Sequence, residues 1–281
     1  MRLSIISCVL LWPFFVFASN GDGAVGPRST SLGHASLCLN DVWSTRNNQG
    51  SLGFVRQSQA GAFYENRFLV KELSQSGFAA AVPIKRGTFG INYTSLGYKL
   101  YRESQATLSY ALLLNKSISV GVGLDYLNTK IADIYGQANA VTGSVGIMAK
   151  VLPQLNIAAR VYNPFRAKIT NYNQEKVPTI INFGAQYIFS DKVFIVAEAE
   201  KTSAQKVNLK AGIEYCPHKL IYLRVGGSSY PTQASFGVGV NYNGLKIDLS
   251  SAYHGVLGFS PQIGLVYAFG KDKSSQKTTV E

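Results

Sequence analysis

Chemistry needs reactive side chains at a spacing that a fold can bring together, and this chain offers few of them. Its histidines are His34, His218 and His254. They share no metal-ligand spacing with one another or with the cysteines, so no metal centre is expected. No Gly-x-Ser-x-Gly elbow is present to raise a nucleophilic serine. The runs Gly121-Val122-Gly123 and Gly237-Val238-Gly239 lie inside strand-like stretches with no helix start behind them, which removes the phosphate-loop reading. The chain reads as a non-enzyme without a cofactor.

What the sequence offers instead is charge at alternate positions of apolar stretches: Asp125, Arg160, Glu198, Glu200, Lys210, Glu214, Arg224, Lys246 and Asp248. On a strand, successive side chains point to opposite faces, so these residues belong to one face and their apolar neighbours to the other. Mixed signs suit an interior knitted by ion pairs around something it holds, whereas a wide ion-selective pore is ringed by one sign. A regular hairpin over 193–215 sets Glu198 opposite Lys210. The plain reading of the charges is structural; the functional one is that some anchor an inner segment until it shifts.

The elements that must position them are strands. Leu245, Ile247 and Leu249 alternate with Lys246, Asp248 and Ser250; Leu209, Ala211 and Ile213 alternate with Lys210, Gly212 and Glu214. The pattern recurs about fourteen times, with strands expected to begin near Gln57, Leu73, Gly87, Arg102, Ser117, Ala138, Gln154, Thr179, Lys192, Lys206, Lys219, Ala234, Leu245 and Gln262. Tight links at Lys85-Arg86-Gly87, Asn115-Lys116-Ser117, Leu152-Pro153-Gln154, Ser190-Asp191-Lys192, Cys216-Pro217-His218 and Asn243-Gly244 alternate with longer ones such as Lys130 to Gln137 and Asn163 to Pro178. An even strand number with short turns on one side and longer loops on the other is the arrangement of a bacterial outer-membrane barrel, with turns and termini in the periplasm. Asn243-Gly244 is a two-residue type I′ signal that pairs Tyr242 with Leu245. The three-residue turn at 190–192 is expected to pair Phe189 with Val193, again apolar with apolar. Tyr64, Tyr126, Tyr187, Phe189, Tyr215, Tyr242, Tyr253 and Phe269 close the apolar face at strand ends, as interfacial aromatic girdles do. His254, the strand-end candidate for a lipase-type Ser–His pair on a lipid-facing wall, is turned inward by alternation.

Composition agrees. The chain is 46% hydrophobic and 15% charged, against about 25% charged for a soluble domain. Past its first residues it has no second long apolar stretch, so its apolar surface must face lipid as a closed sheet. Arg2, the apolar run from Ile5 to Phe17 and Val16-Phe17-Ala18 read as an export signal over 1–18, cleaved after Ala18. The formal charge of +12 is dispersed, which speaks for anionic headgroups and lipopolysaccharide as partners and against nucleic acid. Cys38 and Cys216 could pair in an oxidising compartment or stay free; one pair is no disulfide framework. The expected divisions are a leader (1–18), an N-terminal periplasmic or luminal hatch (19–56), an all-β transmembrane antiparallel barrel (57–270) and a polar tail (271–281). The last strand ends on Phe269, as signals for the barrel assembly machinery do.

The segment before the first strand is polar and glycine-punctuated, and Asp41 is placed to cap a helical turn over Val42 to Arg46. Its run Arg28-Ser29-x-x-Leu32-Gly33-x-Ala35, then Asp41-x-Trp43 and Asn48-Gln49-Gly50-x-Leu52, resembles the N-terminal hatch of the FadL superfamily. The Arg-Ser opening is closer to its PorV/PorQ branch. Asn48 is followed by Gln-Gly where that family commonly shows Pro-Ala. The resemblance implies a plugged barrel that passes small hydrophobic solutes sideways into lipid without energy coupling. Its PorV/PorQ side implies instead a type IX secretion component that binds the C-terminal domains of exported proteins. An interior of Gly, Ala, Ser and Thr beside Phe63 and Phe194 is compatible with the first.

Overall fold

The computed structural model describes residues 23–132, 136–169, 176–203 and 205–270; the expected leader and tail lie outside them. Fourteen strands follow one another: β1 (Ser58–Asn66), β2 (Ser74–Ile84), β3 (Gly87–Gly97), β4 (Tyr101–Leu113), β5 (Ile118–Ile131), β6 (Gln137–Leu152), β7 (Leu155–Tyr162), β8 (Ile180–Ser190), β9 (Val193–Thr202), β10 (Asn208–His218), β11 (Ile221–Ser229), β12 (Thr232–Tyr242), β13 (Leu245–His254) and β14 (Gly258–Phe269). Each pairs antiparallel with its sequence neighbours, and β1 closes on β14 from Ser58↔Phe269 to Glu65↔Gln262. Closure removes the two end strands that an open sheet would expose along their length. One end carries the short turns 85–86, 114–117, 153–154, 191–192, 219–220 and 243–244; the other carries 67–73, 98–100, 132–136, 163–179, 203–207, 230–231 and 255–257. They are the turn end and the loop end below.

Alternation decides what each face shows. Outward positions such as Leu108, Leu124, Val141, Leu209 and Leu249 are exposed, and so are all eight expected girdle aromatics. Two neighbouring rings on one strand, Tyr187–Phe189 and Tyr267–Phe269, lie 4.8 Å apart. Inward positions carry Thr88, Asn92, Thr94, Thr107, Ser109 and Thr142, all buried. Among the described residues no helix is long and apolar enough to cross a membrane.

Register follows the turns where they are regular. Asn243 and Gly244 have φ of 49° and 85°, the two positive values a type I′ turn needs, and Tyr242 pairs with Leu245. The expected Phe189–Val193 pair does not form. Ile188 pairs with Phe194 and Ser190 with Val193, so Phe189 is bulged out; an extra residue on one strand defeats parity counted across a turn. Cys216-Pro217-His218 is not a turn either. β10 runs through it with a register shift between Tyr215 and His218 that absorbs a proline lacking its N–H, and the turn falls at 219–220. β14 starts at Gly258 rather than near Gln262, because Gly258 to Pro261 continue the ladder opposite Ser251 to His254.

The segment from Gly23 to Val55 lies inside the barrel. It carries three short helices, α1 (Pro27–Ser31), α2 (Ser44–Asn47) and α3 (Gln49–Leu52). Helices of one turn are marginal alone; these are held by burial of Val25, Leu32, Val42, Trp43, Leu52 and Phe54 against the wall. α2 begins at Ser44, two positions past the expected start. Asp41 still caps the turn before it, accepting the Trp43 N–H at 3.0 Å on Oδ1.

Candidate functional site

The inner segment meets the wall in two ways, of which the first is bare backbone. Leu32 sits where β10 and β11 carry Gly212 and Gly226; a Cβ on Gly212 would stand 2.7 Å from the Leu32 Cα. Gly50 lies flat on β6, where a Cβ would come to 2.6 Å from the Ile147 backbone. The Gln49 carbonyl covers Gly121, its amide covers Gly123, and Ser31 covers Gly237. The mid-strand glycines are thus the floor of a seat. Gly33, at φ 68°, turns the chain against the Gly227 backbone. Trp43 meets Phe63 edge-on at 5.3 Å within a cluster that includes Val42, Leu52 and Val266. Ala35 and Leu32 pack with Leu39 and Val196, next to Phe194.

The second way is charge. Arg28 grips Glu214 with two hydrogen bonds, Nε to Oε2 at 2.8 Å and Nη2 to Oε1 at 3.0 Å, and pairs with Asp41 at 3.2 Å. Arg224 donates to the same Glu214 Oε2 at 2.6 Å and to Asp248 at 2.5 Å. Burial alone would lower the Arg28 pKa; Glu214 and Asp41 overcome it and raise the value above the ordinary range. Farther toward the loop end, Lys210 pairs with Glu198 at 3.1 Å, as the hairpin argument expected, and with Glu200 at 2.7 Å. Glu198 then accepts the Ser36 and Leu37 backbone N–H groups at 2.9 and 3.3 Å. Of the nine inward charges, Glu198 and Glu214 therefore touch the inner segment. Lys210, Glu200, Arg224 and Asp248 support those two, and Lys246 lines the same cavity as Arg28 and Asp248. Asp125 accepts from Gln105, Thr107 and Ser144, and Arg160 lies over the Tyr162 ring at 5.3 Å. Asn48 ties the segment to itself, accepting from the Gly50 N–H at 2.9 Å and donating to the Leu37 carbonyl at 2.8 Å.

Two cavities flank the segment. The one at the turn end, about 250 Å³, is lined by Asn40, Asp41, Tyr222, Asn241 and Lys246. The one at the loop end, about 260 Å³, is lined by Arg67, Gln75, Thr94, Glu103, Leu96 and Leu127 and floored by Gly23 and Arg46. Between them, around Ser36, Asn47 and Glu198, only about 10 Å³ is left, no more than one water's worth of space. None of these three spaces spans from one end of the barrel to the other.

One residue has no place in the sequence reading. Asn163, wholly buried at φ 50°, donates its N–H to the Gly143 carbonyl at 2.8 Å and its side-chain amide to Val177 O at 2.7 Å. Its Oδ1 accepts from Thr142 and from the Ala167 N–H, and its carbonyl accepts from Thr179. The Asn-Pro pair at a strand end was the available signal, since Asn tolerates positive φ. Beneath it, Leu127, Ala140, Tyr162, Val177 and Ile180 form an apolar cluster in an otherwise polar wall.

Neither cysteine is paired. Cys38 is buried in the inner segment, and Cys216 lies near the turn end of β10. Burial, with Glu198 nearby, pushes the Cys38 thiol up to about 12, which keeps it unreactive. Burial and the nearby Lys210 and Arg67 lower His34 to about 4, against a hydrogen bond to the Ala24 backbone. Among the described residues no metal-binding group of His, Cys, Asp and Glu occurs.

Fold and interior together define a fourteen-stranded antiparallel barrel filled by its own N-terminal segment. Solved structures of similar fold exist. The CymD monoaromatic hydrocarbon channel shares 12% identity over 91% of this chain and 100% of its own, with a TM-score of 0.69. The toluene transporter TodX of Pseudomonas putida shares 11% over 87% and 97%, at 0.64. A FadL homologue of Pseudomonas aeruginosa shares 13% over 87% and 97%, at 0.63. The fold is the FadL-like one. No family model and no curated protein matches the sequence.

Proposed function

We propose that this chain is an outer-membrane channel that passes small hydrophobic solutes passively, with the inner segment as its plug. The observation that carries the reading is a bore closed by the chain itself beneath a loop-end cavity whose apolar lining, Leu96 and Leu127, lies to one side. A solute entering there meets charge below and apolar surface sideways. Leu127 belongs also to the cluster under Asn163. β6 projects beyond β7 here: the ladder starts at Ser144↔Tyr162, and Gln137–Gly143 pair only with β5. The route runs from the cavity through that cluster, past the Asn163 ties, into lipid at the β6 edge. A leader exports the chain, the barrel assembly machinery inserts it, and the turn end faces the periplasm.

The test is uptake of radiolabelled toluene by cells expressing the chain. Wild type is expected to speed uptake over a vector control, and Asn163→Ala to change the rate while the barrel stays folded by heat-modifiable gel mobility. No difference between wild type and control would reject the channel. The secretion reading rests on the Arg28-Ser29 opening, and both residues are spent inside the barrel, on Glu214, Asp41 and α1. Unchanged uptake with lost export of secreted proteins in a deletion strain would favour it.

A further inference from the structure

A groove of about 870 Å³ lies outside the barrel, in the outer wall across β8 to β11. Its origin is in the register. Ala185, Ala197, Ala211 and Gly227 stand side by side on four strands. The next outward row toward the turn end is Tyr187, Ile195, Ile213 and Val225, which raises that rim. Toward the loop end, Phe183 and Leu209 form shoulders on either side of Ala199. The floor cannot yield inward, because Leu37 of the plug lies directly behind Gly184, 3.1 Å from where its Cβ would be. The gap at Ala199 leads to Lys201, the next outward residue on β9, exposed and donating to the Gln205 carbonyl at 2.6 Å. Lys206 follows in the same loop. The carboxylates of β9, Glu198 and Glu200, face the other way, onto Lys210.

We infer that this groove binds an anionic lipid of the leaflet at the loop end, its acyl chain along the alanine floor and its phosphate at Lys201 and Lys206. The inference rests on the membrane reading above and adds a ligand to it. The groove is lined mainly by apolar side chains, which suits a flexible hydrocarbon chain. A second copy would bring its own lysines to the same level, whereas an anion meets them.

The full chain is reconstituted in nanodiscs of equimolar phosphatidylcholine and phosphatidylglycerol, re-extracted in detergent, and its retained lipid read by native mass spectrometry. Phosphatidylglycerol is expected to be enriched on the wild type. Ala197→Trp or Ala211→Phe, each filling the floor from the lipid side, should lower retention about tenfold, and Lys201→Gln should abolish the anionic preference while leaving retention. Equal retention by both floor variants, with heat-modifiable mobility intact, overturns the site. So does a wild-type dimer that the floor variants dissociate without altering bound lipid, since a second copy is then the occupant. Toluene uptake by the same proteins reports on the channel separately: nil wild-type uptake rejects that reading whatever the lipid result.

Discussion

From β8 to β13 the wall adds charge to the glycine contacts under Leu32, Gly33 and Ser31, with Glu198 on two backbone N–H groups and Glu214 on Arg28. From β1 to β7 the grip is mainly one of shape, with Gly50 flat on β6, Gln49 over Gly121 and Trp43 edge-on to Phe63, beside the Arg46 guanidinium donating to Thr94 at 2.6 Å. The two halves hold one segment by forces that fail differently. A half-desolvated ion cluster loses most when one partner is removed, because the others stay behind unmatched. A backbone seat loses most when something is added. The charged half can be released by a change in protonation or a competing ion; the shape-matched half stays put unless the segment moves bodily.

The largest effect should come from the charged half. Glu214→Ala strands Arg28 and Arg224 against each other and should cost about 3–5 kcal/mol, read by chemical denaturation in detergent micelles. A loss below about 1 kcal/mol, no more than an exposed pair is worth, would break the contrast between the halves. Acid probes the same side. His34 is lowered to about 4 from 6.5, so the folded form resists the proton that the released segment takes up. Stability present above pH 6.5 is lost as pH falls toward about 4, by at most about 3 kcal/mol. Trp43, the one tryptophan beyond the expected leader, reports it by fluorescence. His34→Gln should flatten that window, and a profile unchanged by the substitution would remove His34 from the account. On the glycine seat, Gly121→Val drives a side chain into the Gln49 backbone and should cost about 1–3 kcal/mol, whereas Gly255→Ala, with nothing within 4 Å, should be neutral. Smallest is the coupling between Glu198 and Lys210, about 1 kcal/mol in a double-mutant cycle. Strictly additive losses would dissolve that contact.

Sequence reading reached the wall more fully than its contents. Alternation sets the nine charges on the face opposite the apolar one, because a membrane strand can hide a charge on one side only. It also pairs Glu198 with Lys210, which are hairpin neighbours. It could not pair Arg28 with Glu214, since no local periodicity links residues 186 positions apart. Parity across a turn cannot see the bulge at Phe189. A mid-strand glycine announces a close approach without naming what approaches, so Gly121 and Gly237 were legible as small and illegible as seats for Gln49 and Ser31. Asn163 escaped because its hydrogen bonds are made with a loop and with β6, which a linear pattern does not juxtapose.

The central claim is that the chain stoppers its own bore, and planar-bilayer recording of the purified, folded wild-type protein tests it most directly. A filled interior predicts an electrically silent membrane after insertion, with ohmic steps emerging in Glu214→Ala as the plug loosens. Steady conductance steps from the wild type, of the size an open fourteen-stranded pore carries, would contradict it.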